Sequence, residues 1–178
     1  MGSPYVLVNP CASAPARSYA LERMARAALR IAVARDLRVV LSGHARDRAK
    51  TALMRALIGP RAVDLAGATS VPELAALVEQ AALVLTNNTG IMHLADALRR
   101  PMVIVYAGTD LDTQWRPRST AHTLLRRETP CSPCYAIHCP RDHACVDIAP
   151  EEVARAGLDL LEGDRVPLAH TPLPRPER

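Results

Sequence analysis

The stretch Leu83–Leu98, LVLTNNTGIMHLADAL, decides the fold. An apolar run from Ala82 to Leu85 has strand character and stops at Thr86-Asn87-Asn88-Thr89-Gly90. A helical pattern then begins, with Ile91, Leu94, Ala95 and Leu98 three and four apart. This is a strand, a tight turn and a helix N-terminus. In an open parallel sheet such a junction, at the carboxyl end of a strand, is where ligands sit, and the unpaired amides of the first helical turn favour an anion. Thr89 and Gly90 offer hydroxyl and backbone donors, Gly90 permits close approach, and His93, one turn in, is expected to point to the same spot. A phosphate is the natural guest. The alternative is a turn whose Thr or Asn merely caps the helix.

Outward from this stretch the chain repeats the alternation. Strands are expected at Tyr5–Val8, Leu37–Leu41, Ala62–Leu65, Met102–Tyr106 and, as a short last one, His122–Leu125. Helices are expected at Tyr19–Arg35, Arg46–Ile58, Ser70–Gln80 and Glu151–Leu161. Ser70, Pro72 and Glu73 form a capping-box start. The fold class is therefore α/β, a Rossmann-like parallel sheet with helices on both faces. The loops Asn9–Ser18, Ser42–Asp47 and Thr86–Gly90 each follow a strand, so they converge on one sheet edge. Arg17 is placed to meet a diphosphate, with Gly43, His44 and Asp47 as walls and Gly108-Thr109-Asp110 completing a nucleotide cleft. Neither GxGxxG nor GxxxxGK[ST] occurs, which speaks against a dinucleotide dehydrogenase or a P-loop NTPase.

The 178 residues suit one domain of ordinary size. With 49% apolar residues but no Phe and one Trp, the core must be filled by Ala, Val and Leu. The net charge of +4 lacks a dense basic stripe or interleaved aromatics, so nucleic acid is not an expected partner; it suits a phosphorylated ligand or an anionic membrane surface. No apolar run approaches the roughly 20 residues of a membrane span, and no signal peptide is visible. The expected location is the cytoplasm, with peripheral association at the inner face of the cytoplasmic membrane as a further expectation. Residues 1–4 read as a vector-derived remnant or disordered, 5–162 as the Rossmann-like domain with a Cys-rich loop over 128–148, and 163–178 as a Pro-rich disordered tail.

Cys131, Cys134, Cys139 and Cys145 fall within fifteen residues with the spacing C-x2-C-x4-C-x5-C. Two thiolates separated by two residues grip one metal, and two more complete a tetrahedral set. A structural zinc or iron site stapling this loop is the first reading, with His138 and His143 as substitutes for a thiolate. Reduced cysteines without metal are the alternative. Disulfides are argued against by the lack of a secretory signal. Cys11 is the odd one and is expected to be a free buried thiol. No Cys/His/Asn or Ser/His/Asp catalytic set is present.

The order of elements, the run Thr86–Leu98, the Gly108-Thr109 turn and the segment CSPC…CP…C followed by Ile148–Val153 resemble the C-terminal half of glycosyltransferase family nine. These are the ADP-heptose:lipopolysaccharide heptosyltransferases, whose pattern is close to N-D-[ST]-G-x-M-H-L-A-x-A-L, and the resemblance spans about residues 5–161. It implies a GT-B fold of two Rossmann-like halves, this one holding the ADP-sugar donor, and inverting transfer without a catalytic metal. Carried over, Thr89 and Gly90 contact the donor diphosphate, His93 lies near it, Asn88 stands at a position that meets the donor sugar hydroxyls, and Arg17 matches a basic residue that approaches the phosphates or the leaving group. With Gly43 and Asp47 as walls these make up the expected donor site. Three positions depart from the family. Asn88 stands where Asp is usual, Asn9-Pro10-Cys11 replaces His-Pro-Gly, and Tyr19 stands where Trp is common. The resemblance further implies that the acceptor site and the catalytic Asp lie on an N-terminal half or partner chain outside this sequence. Two other readings stand beside it. One is a nucleotide-sugar-binding or partner-binding module without catalysis, and the other a scaffold whose four-cysteine segment mediates assembly.

Overall fold

The computed structural model describes residues 4–163. Of the expected remnant over 1–4 and the expected tail over 163–178, all but Pro4, whose carbonyl accepts from Arg38 N at 3.0 Å, and Gly163, the last residue of a helix, lie outside the described residues. Six strands form one sheet: β1 (Tyr5–Asn9), β2 (Arg38–Leu41), β3 (Ala62–Asp64), β4 (Leu83–Asn87), β5 (Met102–Val105) and β6 (His122–Leu125). Their order is β3-β2-β1-β4-β5-β6 and every pairing is parallel. This is the doubly wound order, in which the chain turns from building one half of the sheet to building the other between β1 and β4. The register sets Val8 against Leu85 and Asn9 against Thr86, so β4 ends one residue beyond β1. Their loops diverge above the sheet and leave a crevice.

Alternate residues of the strands feed two cores. Val6, Val8, Val39, Leu41, Leu83, Leu85, Val103 and Val105 face α1 (Leu21–Ala34), α2 (Arg48–Ile58) and α6 (Pro150–Gly163). Leu7, Val40, Val84, Met102, Ile104 and Tyr106 face α3 (Val71–Gln80) and α4 (Gly90–Ala97). Both faces are covered, as a parallel sheet requires. A four-residue helix, α5 (Asp112–Trp115), follows β5.

Lacking Phe, the first core closes by bringing helices near one another. Ala25, Ala27, Ala28 and Ala32 of α1 are buried, as are Ala154, Ala156 and Gly157 of α6. A Cβ built on Gly157 would lie 2.7 Å from Ile31 Cδ1 and 2.9 Å from Leu83 Cδ2. Replacing Gly157 by Val therefore overpacks this seam, and the ends of Ile31 and Leu83 must move aside. The expected loss is about 1–3 kcal/mol of stability, read as a lowered denaturant midpoint at unchanged m-value; an unchanged midpoint would contradict this packing.

Three helix boundaries differ from expectation for tertiary reasons. The first helix begins at Leu21 rather than Tyr19, because the Tyr19 backbone N–H donates to Asn87 Oδ1 (3.0 Å) and its phenol donates to the Ile148 carbonyl (2.6 Å). The second begins at Arg48, after a 3-10 turn over Ala45–Asp47 in which the Asp47 carboxylate accepts from the His44 N–H at 3.0 Å. The last continues to Gly163, past the expected end at Leu161. There Leu160 and Leu161 pack on the core and Glu162 pairs with Arg35 at 2.8 Å. Among the described residues no helix is long and apolar enough to cross a membrane.

Candidate functional site

A cleft of about 730 Å³ opens at the carboxyl edge of the sheet, over the crevice between β1 and β4. Its floor is the turn Asn88-Thr89-Gly90 leading into α4. One wall is Cys11–Arg17 after β1, another is Gly43–Asp47 after β2, and Asp110 with Trp115 closes the side after β5. Arg17, Gly43, Asp47, Asn88, Thr89, Gly90 and His93 all line it.

The turn is not a simple cap. Thr89 occupies the N-cap position with extended backbone (φ −138°, ψ 177°), but its side chain makes no capping hydrogen bond. Its hydroxyl instead meets the Thr86 hydroxyl at 3.3 Å. Uncapped helices leave first-turn N–H groups seeking an acceptor. Here the Met92 N–H donates to the Thr89 carbonyl at 3.0 Å, and no side chain caps those of Gly90 and Ile91, which line the cleft. Gly90, at the first helical position, is exposed, and a Cβ placed there meets no heavy atom within 4 Å. His93, one turn in, is exposed at the rim and sets its ring edge-on to Trp115, centroids 5.9 Å apart.

The two asparagines of the turn have separate tasks. Asn87 is fully buried and structural: its Oδ1 accepts from Tyr19 N and its Nδ2 donates to the Pro10 carbonyl at 2.9 Å, tying the loop after β1 to β4. Asn88, 5% exposed, accepts from Ala107 N at 3.2 Å and donates to Asp110 Oδ2 at 3.3 Å. Arg17 reaches Asp110 from the opposite loop, Nη2 to Oδ2 3.1 Å, with a third of its side chain exposed. This guanidinium is therefore tied to a carboxylate, while Arg46, on the wall after β2, also lines the cleft.

The sequence reading missed Tyr106 as a cleft residue and, for Asp110, which it placed at the cleft, missed the partner. Tyr106 at the end of β5 is buried, and its hydroxyl has no partner among the described residues. Burial, followed by the negative charges of Asp110 and Asp112, pushes its phenol up to about 12, so it stays a neutral donor. Asp110 was visible only as part of a turn. Its pairing with Arg17 joins residues 93 positions apart, and no local pattern announces that. Cys11 is half-buried, and desolvation together with the neighbouring Asp47 charge raises its thiol to about 11. At neutral pH it is protonated and unsuited to nucleophilic work.

The cysteine segment behaves differently from the expectation of a four-thiolate centre. Cys131, Cys134, Cys139 and Cys145 do surround one smaller cavity of about 230 Å³. Yet among the described residues no three His, Cys, Asp or Glu side chains converge as metal ligands. The thiols are engaged elsewhere: Cys145 Sγ accepts from Gly108 N at 3.3 Å, and Cys131 lies 3.5 Å from the Thr129 hydroxyl. All five cysteines are free. The segment also buttresses the cleft. Cys134 N donates to the Gly108 carbonyl, Tyr135 N to that of Thr109, and Ala16 N to that of Ile137.

The doubly wound sheet with an uncapped helix N-terminus at its switch point has the architecture of a Rossmann-like α/β domain. The family model for glycosyltransferase family 9 (heptosyltransferase) matches residues 1–145, and the chain belongs to that family. It is 36% identical over 64 residues to lipooligosaccharide heptosyltransferase 2 of Haemophilus influenzae, a match covering 36% of this chain and 18% of the relative. Its fold is similar to that of the E. coli ADP-heptose lps heptosyltransferase II, with a TM-score of 0.73 at 24% identity over 92% of this chain and 48% of that one. It is also similar to the iron-containing dodecameric glycosyltransferase TibC from enterotoxigenic E. coli, with a TM-score of 0.59 at 17% identity, covering 92% and 44%. The chain thus spans about half the length of these structures.

Proposed function

We propose that this chain is the donor-binding half of a heptosyltransferase-like glycosyltransferase, holding an ADP-sugar, with ADP-heptose as the first candidate. The observation that carries the reading is the uncapped N-terminus of α4 at the sheet's switch point, facing Arg17 across the cleft. The first-turn amides and the Thr89 hydroxyl take the diphosphate, with Gly90 allowing close approach and His93 bounding it. Gly43 and Asp47 wall the nucleoside side.

The chemistry follows. An acceptor hydroxyl oxygen bonds to the anomeric carbon from the face opposite the diphosphate, and the bond from that carbon to the β-phosphate oxygen breaks. The electron pair leaves with the nucleoside diphosphate. The acceptor proton goes to a carboxylate that we assign to an N-terminal acceptor-binding half or partner chain. The helix dipole and Arg17 stabilise the departing charge, the largest single contribution such a site offers. A lipopolysaccharide-type acceptor fits this assignment, and with it a cytoplasmic location at the inner membrane face.

Titration calorimetry with ADP, UDP and GDP tests the reading: ADP binds selectively, and failure of all three at millimolar concentration contradicts it.

For the cysteine segment we propose a structural zinc or iron held by Cys131, Cys134, Cys139 and Cys145. The soft all-sulfur donor set, gathered round one cavity, supports it, as does the iron content of a protein with a similar fold. The metal would fix the loop that braces Ala16, Gly108 and Thr109, and no chemical step passes through it. Elemental analysis is expected to find one zinc or iron per chain, lost in Cys131→Ser/Cys134→Ser. A metal-free parent, purified anaerobically, contradicts the proposal.

A further inference from the structure

Asp110 ends the turn after β5 with its side chain 19% exposed, on the wall of the cleft. Its Oδ2 is crowded. The Thr109 hydroxyl donates to it at 2.7 Å, Arg17 Nη2 at 3.1 Å and Asn88 Nδ2 at 3.3 Å. Its Oδ1 receives one long bond, 3.3 Å, from the same Arg17 nitrogen. An ionised carboxylate has about four lone-pair positions, so Oδ1 keeps acceptor capacity that the protein leaves unfilled.

A diphosphate alone does not account for this arrangement. A carboxylate next to the phosphate-binding cation cancels its charge and repels the anion. A hydroxyl-bearing group beside the diphosphate does account for it, because an O–H donated to a carboxylate is a strong, charge-assisted bond. Asn88, hydrogen-bonded to Asp110, is the weaker acceptor, since its uncharged Oδ1 already accepts from Ala107 N and its amide donates to Asp110.

We propose that Asp110 is a specificity-determining residue that accepts hydrogen bonds from the hydroxyls of the donor's sugar and so sets the preference for a nucleotide-sugar over a bare nucleoside diphosphate. This rests on the donor-site reading above. Pairing with Arg17 fixes the carboxylate in place, while the same pairing weakens the grip on the spent diphosphate.

The test uses the full chain, calorimetry and two ligands of equal charge: ADP-heptose, and the β-methyl ester of ADP, which keeps the ribose but carries none of the hydroxyls of the transferred sugar. The parent prefers ADP-heptose. Asp110→Asn weakens ADP-heptose about tenfold and leaves the methyl ester unchanged or tighter. Equal weakening of both ligands would make Asp110 a pillar of the turn and overturn the proposal; so would no change in either. A parent that binds both ligands alike overturns it while leaving the donor reading intact, and a parent that binds neither overturns both.

A second variant guards against a folding defect. Asn88→Asp sets two carboxylates about one hydrogen bond apart and weakens both ligands by like-charge repulsion. The exchange Asn88→Asp/Asp110→Asn keeps one carboxylate and one amide in the pair, and recovers the preference for ADP-heptose. An exchange variant that folds but shows no preference overturns the proposal.

Discussion

Gly90→Val is expected to abolish ADP binding, raising Kd by more than about a hundredfold, or roughly 3 kcal/mol, without lowering the thermal midpoint. The two halves of that result have separate causes. Gly90 has no left-handed backbone requirement, and an added Cβ meets nothing within 4 Å, so the folded chain accepts a larger residue. Valine is a better helix former than glycine in any case. The space the side chain fills, however, is the cleft at the first-turn amides, where a phosphate would sit. Calorimetry with ADP beside a thermal melt reads both. A variant that melts normally and still binds would place the diphosphate elsewhere.

Arg17→Met carries the second large effect, a loss of about a hundredfold in ADP affinity. Two contributions add. The charge-assisted bond from guanidinium to diphosphate disappears, a contribution of about 1.5–3 kcal/mol, and Asp110 is left uncompensated on the cleft wall, where it repels the ligand. The loss is expected to shrink markedly when Asp110→Asn is combined with Arg17→Met, since the second contribution then vanishes. Arg17→Lys is expected to fall between, keeping the charge but not the guanidinium whose Nη2 reaches Asp110. Equal affinities for parent and Arg17→Met would remove Arg17 from the site.

Much of this arrangement was legible in the sequence, and the reasons are physical. Each strand of a sheet covered on both faces is a short unbroken apolar run. Val84, Leu85, Val103 and Ile104 therefore announce β4 and β5 without any alternation. The capping box of Ser70 and Glu73 is local, and it stands as read, with Ser70 N donating to Glu73 Oε2 at 2.7 Å. The convergence of the loops bearing Arg17, Gly43 and Thr89 follows from strand direction alone.

What escaped depends on contacts between distant residues. The start of α1 is set by Asn87, 68 positions away from Tyr19. The partnership of Arg17, Asn88 and Asp110 needs three loops folded together, and α5, one turn long, is too short to leave a periodic trace. The cysteine spacing announced a cluster, and the four thiols do gather round one cavity, but spacing alone does not give the hydrogen bonds each sulfur makes. Here Gly108 N draws Cys145 toward the turn after β5.

The most direct measurement is a nitrogen–proton correlation spectrum of the labelled chain titrated with ADP. The account predicts that the largest shifts fall on the amides of Thr89, Gly90, Ile91 and Met92, followed by the Arg17 side chain. Shifts confined to another edge of the sheet, with these amides unmoved at saturation, would contradict it.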